Sequence, residues 1–159
     1  MKNLYAPWRS NYIRLTETQK TCPLCLEESA ELDEKNYVIK RYTHCYIMLN
    51  LYPYNAGHVM IVPFAHCDKL AHLSPQARAE IAQAASECET ALLQTLKADG
   101  INMGLNIGGK AAGGTIPEHL HMHVLPRFHG DTNFLPLLSD TKQISLNLVE
   151  VYKRLKDSF

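Results

Sequence analysis

The chain has 159 residues, of which 46% are hydrophobic and 20% are charged, with eight glycines and eight prolines. This composition is typical of one globular domain and excludes a disordered or collagen-like chain. Sixteen basic side chains balance sixteen acidic ones, so the chain lacks the broad positive field that non-specific binding to nucleic acid or to a membrane surface requires. A domain of this length buries roughly two-thirds of its unfolded surface, and stability alone therefore requires neither a disulfide nor a metal.

The cysteines and the N-terminal residues indicate where the protein resides. Only Cys22 and Cys25 of the five cysteines are close in sequence, and such a distribution is not a disulfide framework. Pro7 and Arg9 stand where a secretory signal has its apolar stretch, and no window approaches about 18 consecutive apolar residues. We expect a cytoplasmic protein with a single domain over residues 1–159, in which residues 1–21 are an N-terminal extension.

Three short apolar runs occupy the first half of the chain. Residues 37–41, 44–49 and 58–63 are rich in β-branched and aromatic side chains. Turn-forming residues, including Asn55 and Gly57, separate the second run from the third. The pattern predicts three antiparallel strands.

A helical pattern begins after Ser74. Ser74 is a preferred N-cap residue, and Pro75 suits the first helical turn. The following apolar residues recur at helical spacing: Ile81, Ala84, Ala85, Cys88, Leu92 and Leu96. We expect Gly100 to end this helix.

A second helix is predicted to start at Ser139 or Asp140. Its apolar side carries Ile144, Leu148, Tyr152 and Leu155.

Two further strands are predicted between the helices. Residues 101–107 and 118–126 have strand composition, and the loop at 108–115 carries four glycines. Strands and two helices without regular βαβ alternation predict an α+β fold. We expect an antiparallel sheet of about five strands with one long central helix and a C-terminal helix.

The segment HLHMH, with His119, His121 and His123, carries the strongest chemical signal. Side chains alternate between the two faces of a strand, so the three imidazoles are expected on one face, about 7 Å apart. Neighbouring imidazoles gain no apolar burial and repel one another when protonated, which makes a purely structural origin improbable. Two interpretations remain at this point: a metal held by several histidines, or a nucleophilic histidine with assisting neighbours.

The loop before these histidines has the composition of an anion site. Glycines let backbone N–H groups approach an anion closely, and an amide and a hydroxyl add donors. The candidate donors are Asn106, Gly108, Gly109, Gly113, Gly114 and Thr115. Such a loop alone is more often a flexible turn, and its position next to the histidines favours the phosphate site. It lacks the ending of a P-loop and the context of a Rossmann turn.

The run HLHMHVL fits the signature His-φ-His-φ-His-φ-φ, in which φ is apolar. On this motif the chain resembles the histidine triad (HIT) superfamily from about Cys22 to about Phe134. The resemblance implies an α+β domain, usually a homodimer, whose middle histidine attacks the α-phosphorus of a nucleotide. Water, phosphate or another acceptor then resolves the nucleotidyl-histidine. Carried over, His121 is the nucleophile, and His123 assists by donating to a phosphate or leaving-group oxygen.

The resemblance also implies substrate contacts. Asn50 matches the ribose-contacting position, and an ordinary turn asparagine is the alternative. Donors to the non-bridging phosphate oxygens would come from Asn106, Gly113, Gly114 and Thr115. His58 also matches a family position; we expect it to make hydrogen bonds in the core.

Cys22 and Cys25 have the spacing of a zinc knuckle. A redox pair is the alternative, but the βαβ context of a thioredoxin-like pair is not indicated. HIT members with this CxxC, and the related galactose-1-phosphate uridylyltransferases, complete a tetrahedral zinc site with a histidine after the central hairpin and the first histidine of the triad. The resemblance therefore implies a structural Zn²⁺ held by Cys22, Cys25, His66 and His119.

Residues around the triad point to one branch of the family. Thr115 and the segment GDTNF at 130–134 resemble compact bacterial diadenosine tetraphosphate phosphorylases. Fhit-like hydrolases share the Pro126-Arg127 pair but have glutamine at the position of Thr115. We expect a nucleotidyl hydrolase or transferase that cleaves dinucleoside polyphosphates, with a nucleotide or dinucleotide as its substrate and neither nucleic acid nor membrane as a partner. Three alternatives remain: a Hint-like hydrolase of phosphoramidates or aminoacyl-adenylates, a hydrolase with a catalytic zinc, and a nucleotide-binding signalling protein with little turnover.

Overall fold

A computed structural model describes residues 22–26, 30–112, 114–131 and 147–159. The described helices and strands are, in chain order, β1 (Val38–Arg41), β2 (Cys45–Leu49), β3 (Val59–Pro63), α1 (Pro75–Thr95), β4 (Gly100–Leu105), β5 (Met122–Arg127) and α2 (Leu148–Lys156). Three single-turn 3₁₀ helices lie in the connections. No helix within these ranges has the length and apolar character needed to cross a membrane.

The strands form one antiparallel sheet in the order β1-β2-β3-β5-β4. The three strands predicted in the first half of the chain are confirmed, and so is the α+β fold. His123 lies opposite Met60 of β3 and opposite Gly104 of β4. The last histidine of the triad is therefore held between two strands of the sheet.

Side chains alternate across the sheet into two apolar clusters. Ile47, Ile61 and Val124 belong to the cluster that includes the buried face of α1. Tyr46 and Met60 belong to the cluster on the opposite face, which residues of the 22–26 segment cover. Because both faces are covered, β2 and β3 are buried along their whole length.

Helix α1 has the predicted apolar stripe and a different C-terminus. Ser74 Oγ accepts a hydrogen bond from Ala77 N–H at 3.1 Å, which confirms the N-cap. The helix ends at Thr95, and Lys97 adopts the left-handed conformation with φ 56°. Gly100 therefore does not end the helix, because it is the first residue of β4 and pairs with Arg127 of β5.

Helix α2 begins after Asn147, whose side chain accepts a hydrogen bond from Glu150 N–H at 3.1 Å. The predicted start at Ser139 or Asp140 and the apolar Ile144 lie outside the described residues. Tyr152 and Leu155 are buried as expected, and the Tyr152 hydroxyl donates to Val38 O at 3.1 Å. Helix α2 is thereby fixed to the β1 edge of the sheet.

The histidine segment enters the sheet later than predicted. Strand β5 begins at Met122, so His119 and His121 precede it. Leu120 N–H donates to Cys67 O at 2.6 Å, and this bond draws the segment out of the ladder between β3 and β5. The expected row of three evenly spaced imidazoles on one strand face is therefore wrong. Leu120 and Val124 are buried in the core.

The loop between β2 and β3, residues 50–58, is held on two sides. Gly57 has φ 81°, a conformation that favours glycine, and a Cβ there would press on Leu96 and Pro126. Asn55 Nδ2 donates to Pro126 O and to Asp131 Oδ2, each at 2.8 Å. The loop is thus fixed against the end of β5.

Candidate active site and metal centre

Four potential metal ligands meet at the end of β3, and we call them the metal cluster: Cys22, Cys25, His66 and His119. Their donor atoms lie within 4.8 Å of one another. His119 Nδ1 lies 3.3 Å from Cys22 Sγ and 3.6 Å from Cys25 Sγ. His66 Nδ1 lies 3.2 Å from Cys25 Sγ. The fold therefore brings together all four residues that the resemblance implied.

The metal cluster fits a tetrahedral ion. Zinc bonds of about 2.3 Å to sulfur and about 2.0–2.1 Å to nitrogen give N···S edges of about 3.6 Å, close to the observed spacing. His119 Nε2 lies 2.9 Å from Pro63 O, and a carbonyl oxygen can only accept, so Nε2 carries the proton. His119 Nδ1 therefore has its lone pair directed at the thiols. A hydrogen bond from the other ring nitrogen to a carbonyl is typical of metal-bound histidines. The cluster could bind a metal.

Burial changes the protonation of the metal cluster. Burial raises the pKa of the Cys22 thiol, and the nearby Cys25 adds to this effect. Burial also lowers the pKa of His119, which keeps its Nδ1 available as a ligand. A divalent cation would supply the charge that stabilises the thiolates at neutral pH.

His121 uses its ring nitrogens in the opposite way. Its Nδ1 lies 2.8 Å from His119 O, so Nδ1 carries the proton and donates to this carbonyl. The lone pair is then on Nε2, which has no hydrogen-bond partner among the described residues. A neutral imidazole with a free Nε2 is a competent nucleophile near pH 7.

His58 and His123, which we call the histidine pair, are joined by a hydrogen bond of 2.9 Å between His58 Nε2 and His123 Nδ1. The Tyr54 N–H donates to His58 Nδ1 at 3.2 Å. His58 must therefore carry its proton on Nε2 and donate it to His123 Nδ1. His123 in turn carries its proton on Nε2. One backbone amide thus sets the tautomers of both histidines.

The histidine pair is neutral at physiological pH. Burial, reinforced by the neighbouring imidazoles, lowers the pKa of His58 to about 3. Burial, reinforced by His121, lowers the pKa of His123 to about 4. His123 Nε2 lies 3.4 Å from the Asn106 side-chain amide. The ring centroids of His121 and His123 are 4.8 Å apart. A lone pair on His121 and an N–H donor on His123 therefore lie side by side.

Asn50 has a turn role in the structure. Its Oδ1 accepts a hydrogen bond from Tyr52 N–H at 2.8 Å, and its Nδ2 lies 3.5 Å from His58 Nε2. The first contact is an Asx turn, which was the alternative to a ribose contact. Asn50 is buried, and the ribose contact stays a prediction.

The predicted anion loop is only partly described. Gly114 and Thr115 are exposed, and Gly113 lies outside the described residues. Among the described contacts, no hydrogen bond joins Gly114 or Thr115 to the histidines. The phosphate contacts of this loop stay a prediction.

His58 matters more to the site than its sequence position indicated. Core hydrogen bonding was expected for it, and its buried bonds agree. The sequence analysis did not predict His123 as its partner, although His58 lies two residues before Met60, which is opposite His123 in the sheet. Glu118, the carboxylate next to His119 in sequence, is an exposed residue before β5. Within the described part of the chain, the metal cluster includes no carboxylate.

The comparison with known proteins agrees with this geometry. The family model described as HIT domain matches residues 31–130. The AP-4-A phosphorylase of Mycobacterium tuberculosis is 34% identical to this chain over 151 residues, which cover 91% of this chain and 77% of that protein. The chain belongs to the HIT domain family. As a class, it is a nucleotide hydrolase or transferase.

Solved structures support the same assignment. A Zn-bound histidine triad family protein from Mycobacterium smegmatis is 27% identical, with a TM-score of 0.63 over 77% of this chain and 83% of that chain. A hypothetical histidine triad nucleotide-binding protein from Sulfolobus tokodaii shares the fold, with a TM-score of 0.64 over 86% of this chain and 88% of that chain at 24% identity.

Proposed function

We propose that the protein cleaves dinucleoside polyphosphates, such as diadenosine tetraphosphate, at the α-phosphate through a covalent nucleotidyl-histidine on His121. The observation that carries the proposal is the hydrogen bond between His121 Nδ1 and His119 O. It leaves the Nε2 lone pair next to the neutral N–H donor of His123. The 34% identity to an AP-4-A phosphorylase supports this class of substrate.

The first step forms one bond and breaks another. The His121 Nε2 lone pair attacks the α-phosphorus, and the P–O bond to the polyphosphate breaks, with its electron pair staying on the leaving oxygen. Diadenosine tetraphosphate would release ATP, which leaves as an anion and requires no proton. His123 Nε2–H donates a hydrogen bond to the leaving oxygen and stabilises the charge that develops there.

The second step returns His121 to its starting state. Phosphate or water attacks the nucleotidyl phosphorus, and the P–N bond breaks with its electron pair returning to Nε2. Phosphate as acceptor yields ADP, and water yields AMP and one proton. Asn106, Gly113, Gly114 and Thr115 are the proposed donors to the non-bridging oxygens, and Asn50 is the proposed ribose contact.

The metal cluster is proposed to hold a structural Zn²⁺. Zinc supplies four strong bonds, and four protein donors leave no open position for a substrate or a water molecule. Cys22 and Cys25 come from the segment over one sheet face, His66 follows β3, and His119 precedes β5. These residues therefore join three separate parts of the chain next to the nucleophile.

We also propose a homodimer, which the resemblance to the HIT family implies. Strand β4 lies at the edge of the described sheet, and Met103 and Ile107 are 41% and 40% exposed. Such an edge would be covered by a second copy. Light scattering should give twice the chain mass at micromolar concentration, and a monomer there would contradict the dimer.

The direct test is incubation with diadenosine tetraphosphate, with and without inorganic phosphate, followed by separation of the nucleotides. ADP plus ATP indicates phosphorolysis, and AMP plus ATP indicates hydrolysis. Adenosine 5′-phosphoramidate in parallel tests the Hint-like alternative. Absence of turnover, and of a nucleotidyl adduct on His121 after mild quenching, would contradict the proposed function.

A further inference from the structure

Tyr54 is a large aromatic residue at the histidine pair that the reaction steps above leave without a use for its side chain. Its ring centroid lies 5.0 Å from that of His58 and 5.8 Å from that of His123, with interplanar angles of 31° and 38°. The side chain is nevertheless 54% exposed. Among the described residues the phenol makes no hydrogen bond, since only the Tyr54 backbone does.

We propose that the exposed face of Tyr54 stacks on the base of the leaving nucleotide and makes the enzyme prefer dinucleotides to polyphosphates that carry a single nucleoside. This inference rests on the proposed function and adds the group that recognises the second nucleoside. A base stacked on an exposed aromatic ring is a common, sequence-tolerant contact.

The position of Tyr54 selects the leaving side of the substrate. In an in-line displacement the leaving oxygen lies opposite the attacking nitrogen. His121 provides that nitrogen, and the described ring contacts of Tyr54 are with His58 and His123, with none to His121. Tyr54 therefore lies beside the donor to the leaving oxygen, away from the nucleophile.

The loop that carries Tyr54 is suited to hold a ring in place. Asn55, the next residue, is 5% exposed and donates to Pro126 O and Asp131 Oδ2. The Tyr54 N–H is fixed on His58 Nδ1. A ring on a rigid loop loses little conformational freedom when a base stacks on it.

Space for a substrate exists on the other flank of His123. Gly104 lies opposite His123 in the sheet, and a Cβ built on Gly104 would meet no atom within 4 Å. The face around His123 is therefore bounded by the Tyr54 ring on one side and open over Gly104 on the other. A polyphosphate can reach His123 without displacing the ring.

The test compares two substrates, diadenosine tetraphosphate and adenosine 5′-tetraphosphate, of which only the first has a second nucleoside. The measured quantity is kcat/KM for diadenosine tetraphosphate divided by kcat/KM for adenosine 5′-tetraphosphate. It is determined for the wild type, Tyr54→Leu and Tyr54→Phe. All three keep the backbone N–H that sets the histidine tautomers. We expect Tyr54→Leu to lower the ratio about tenfold, as loss of one stacked base does, and Tyr54→Phe to retain it. His129→Ala, an exposed position, is the matched control.

Equal losses on both substrates would overturn the proposal, because they would show that the ring only covers the histidine pair. An unchanged ratio would overturn it as well. If the wild type turns over neither substrate, the proposed function fails, and binding still decides the role of Tyr54. A methylene-bridged diadenosine tetraphosphate should then bind about tenfold more tightly than adenosine 5′-tetraphosphate to the wild type and equally to Tyr54→Leu. Equal affinities for the wild type would reject the stacking contact.

Discussion

His119 and His121 are two positions apart in the sequence, yet each leaves a different ring nitrogen unprotonated. His119 donates from Nε2 to Pro63 O, which turns its Nδ1 lone pair towards the two thiols. His121 donates from Nδ1 to His119 O, which leaves the lone pair on Nε2. The carbonyl next to each ring, and not the residue type, therefore determines which nitrogen is free: Nδ1 in the metal cluster and Nε2 in the proposed nucleophile.

The histidine pair shows a third arrangement of the same residue. His58 and His123 are both buried, and their ring nitrogens are used on each other. In the metal cluster the donor atoms converge on one point, whereas in the histidine pair they form a chain that begins at a backbone amide. The first arrangement is suited to a cation, and the second to a fixed neutral donor.

The largest effect on activity is expected from His121→Ala. We expect turnover of diadenosine tetraphosphate to fall by several orders of magnitude, on the order of the loss when a covalent nucleophile is removed. Metal content and melting temperature should stay near those of the wild type, because His121 is not in the metal cluster. Mass spectrometry after mild quenching should find no nucleotidyl adduct. His129→Ala serves as the control, and wild-type turnover of His121→Ala would reject the assignment.

The second change, Cys22→Ser, acts on the metal cluster. We expect the variant to lose its metal and to melt about 10 °C lower, since each kcal/mol lowers the melting temperature of a chain of this size by about 2–4 °C. Elemental analysis and thermal unfolding measure both. Cys67→Ser is the matched control, because Cys67 lies beside His66 but outside the metal cluster. Full metal content with unchanged melting would reject the metal site.

The histidine pair predicts loss of stability in acid. The pKa of His58 is lowered to about 3 in the folded protein, against about 6.5 in the unfolded chain. Below pH 6.5 the unfolded chain binds more protons than the folded one, so the free energy of unfolding falls as the pH falls towards 3. The slope is about 1.4 kcal/mol per pH unit for each such histidine.

Urea unfolding at pH 7 and pH 5 tests this difference between wild type and His58→Gln. The variant lacks one titrating group, so its stability should fall by about 2 kcal/mol less than that of the wild type over this range. Equal pH slopes would mean that His58 is not neutral in the folded protein.

The smallest expected effect comes from the carboxylate that holds the loop before His58. Asp131 accepts from Asn55 and pairs with Arg127, and its side chain is 7% exposed. Asp131→Ala should lower the free energy of unfolding by about 1 kcal/mol, since it removes one of the two acceptors of the buried Asn55 amide. Asp68→Ala removes an ion pair with an exposed lysine and should change the stability by less than about 0.5 kcal/mol. Equal effects in urea unfolding would show that the loop does not depend on Asp131.

Much of the fold could be predicted because its signals are local. Strands β1, β2 and β3 follow from their β-branched and aromatic composition, and helix α1 follows from the helical spacing of its apolar residues. Ser74 marks the start of α1. The HLHMHVL run and the CxxC pair predicted the metal cluster through resemblance to a family. The ends of elements were less predictable. Gly100 had the composition of a helix end, but its place in the sheet ladder decided its conformation.

The sequence by itself determined which side chains alternate, which face of α1 is apolar and which residues carry reactive nitrogens and sulfurs. Contacts between segments that are distant in sequence fix which ring nitrogen each histidine leaves free. Pro63 O reaches His119, and Cys67 O holds Leu120 and starts β5 at Met122 rather than before the triad. The Tyr54 amide reaches His58, whose Nε2 meets His123, 65 positions along the chain. Tautomers depend on partners that are distant in sequence, and no local pattern records which carbonyl or amide will lie beside a given ring.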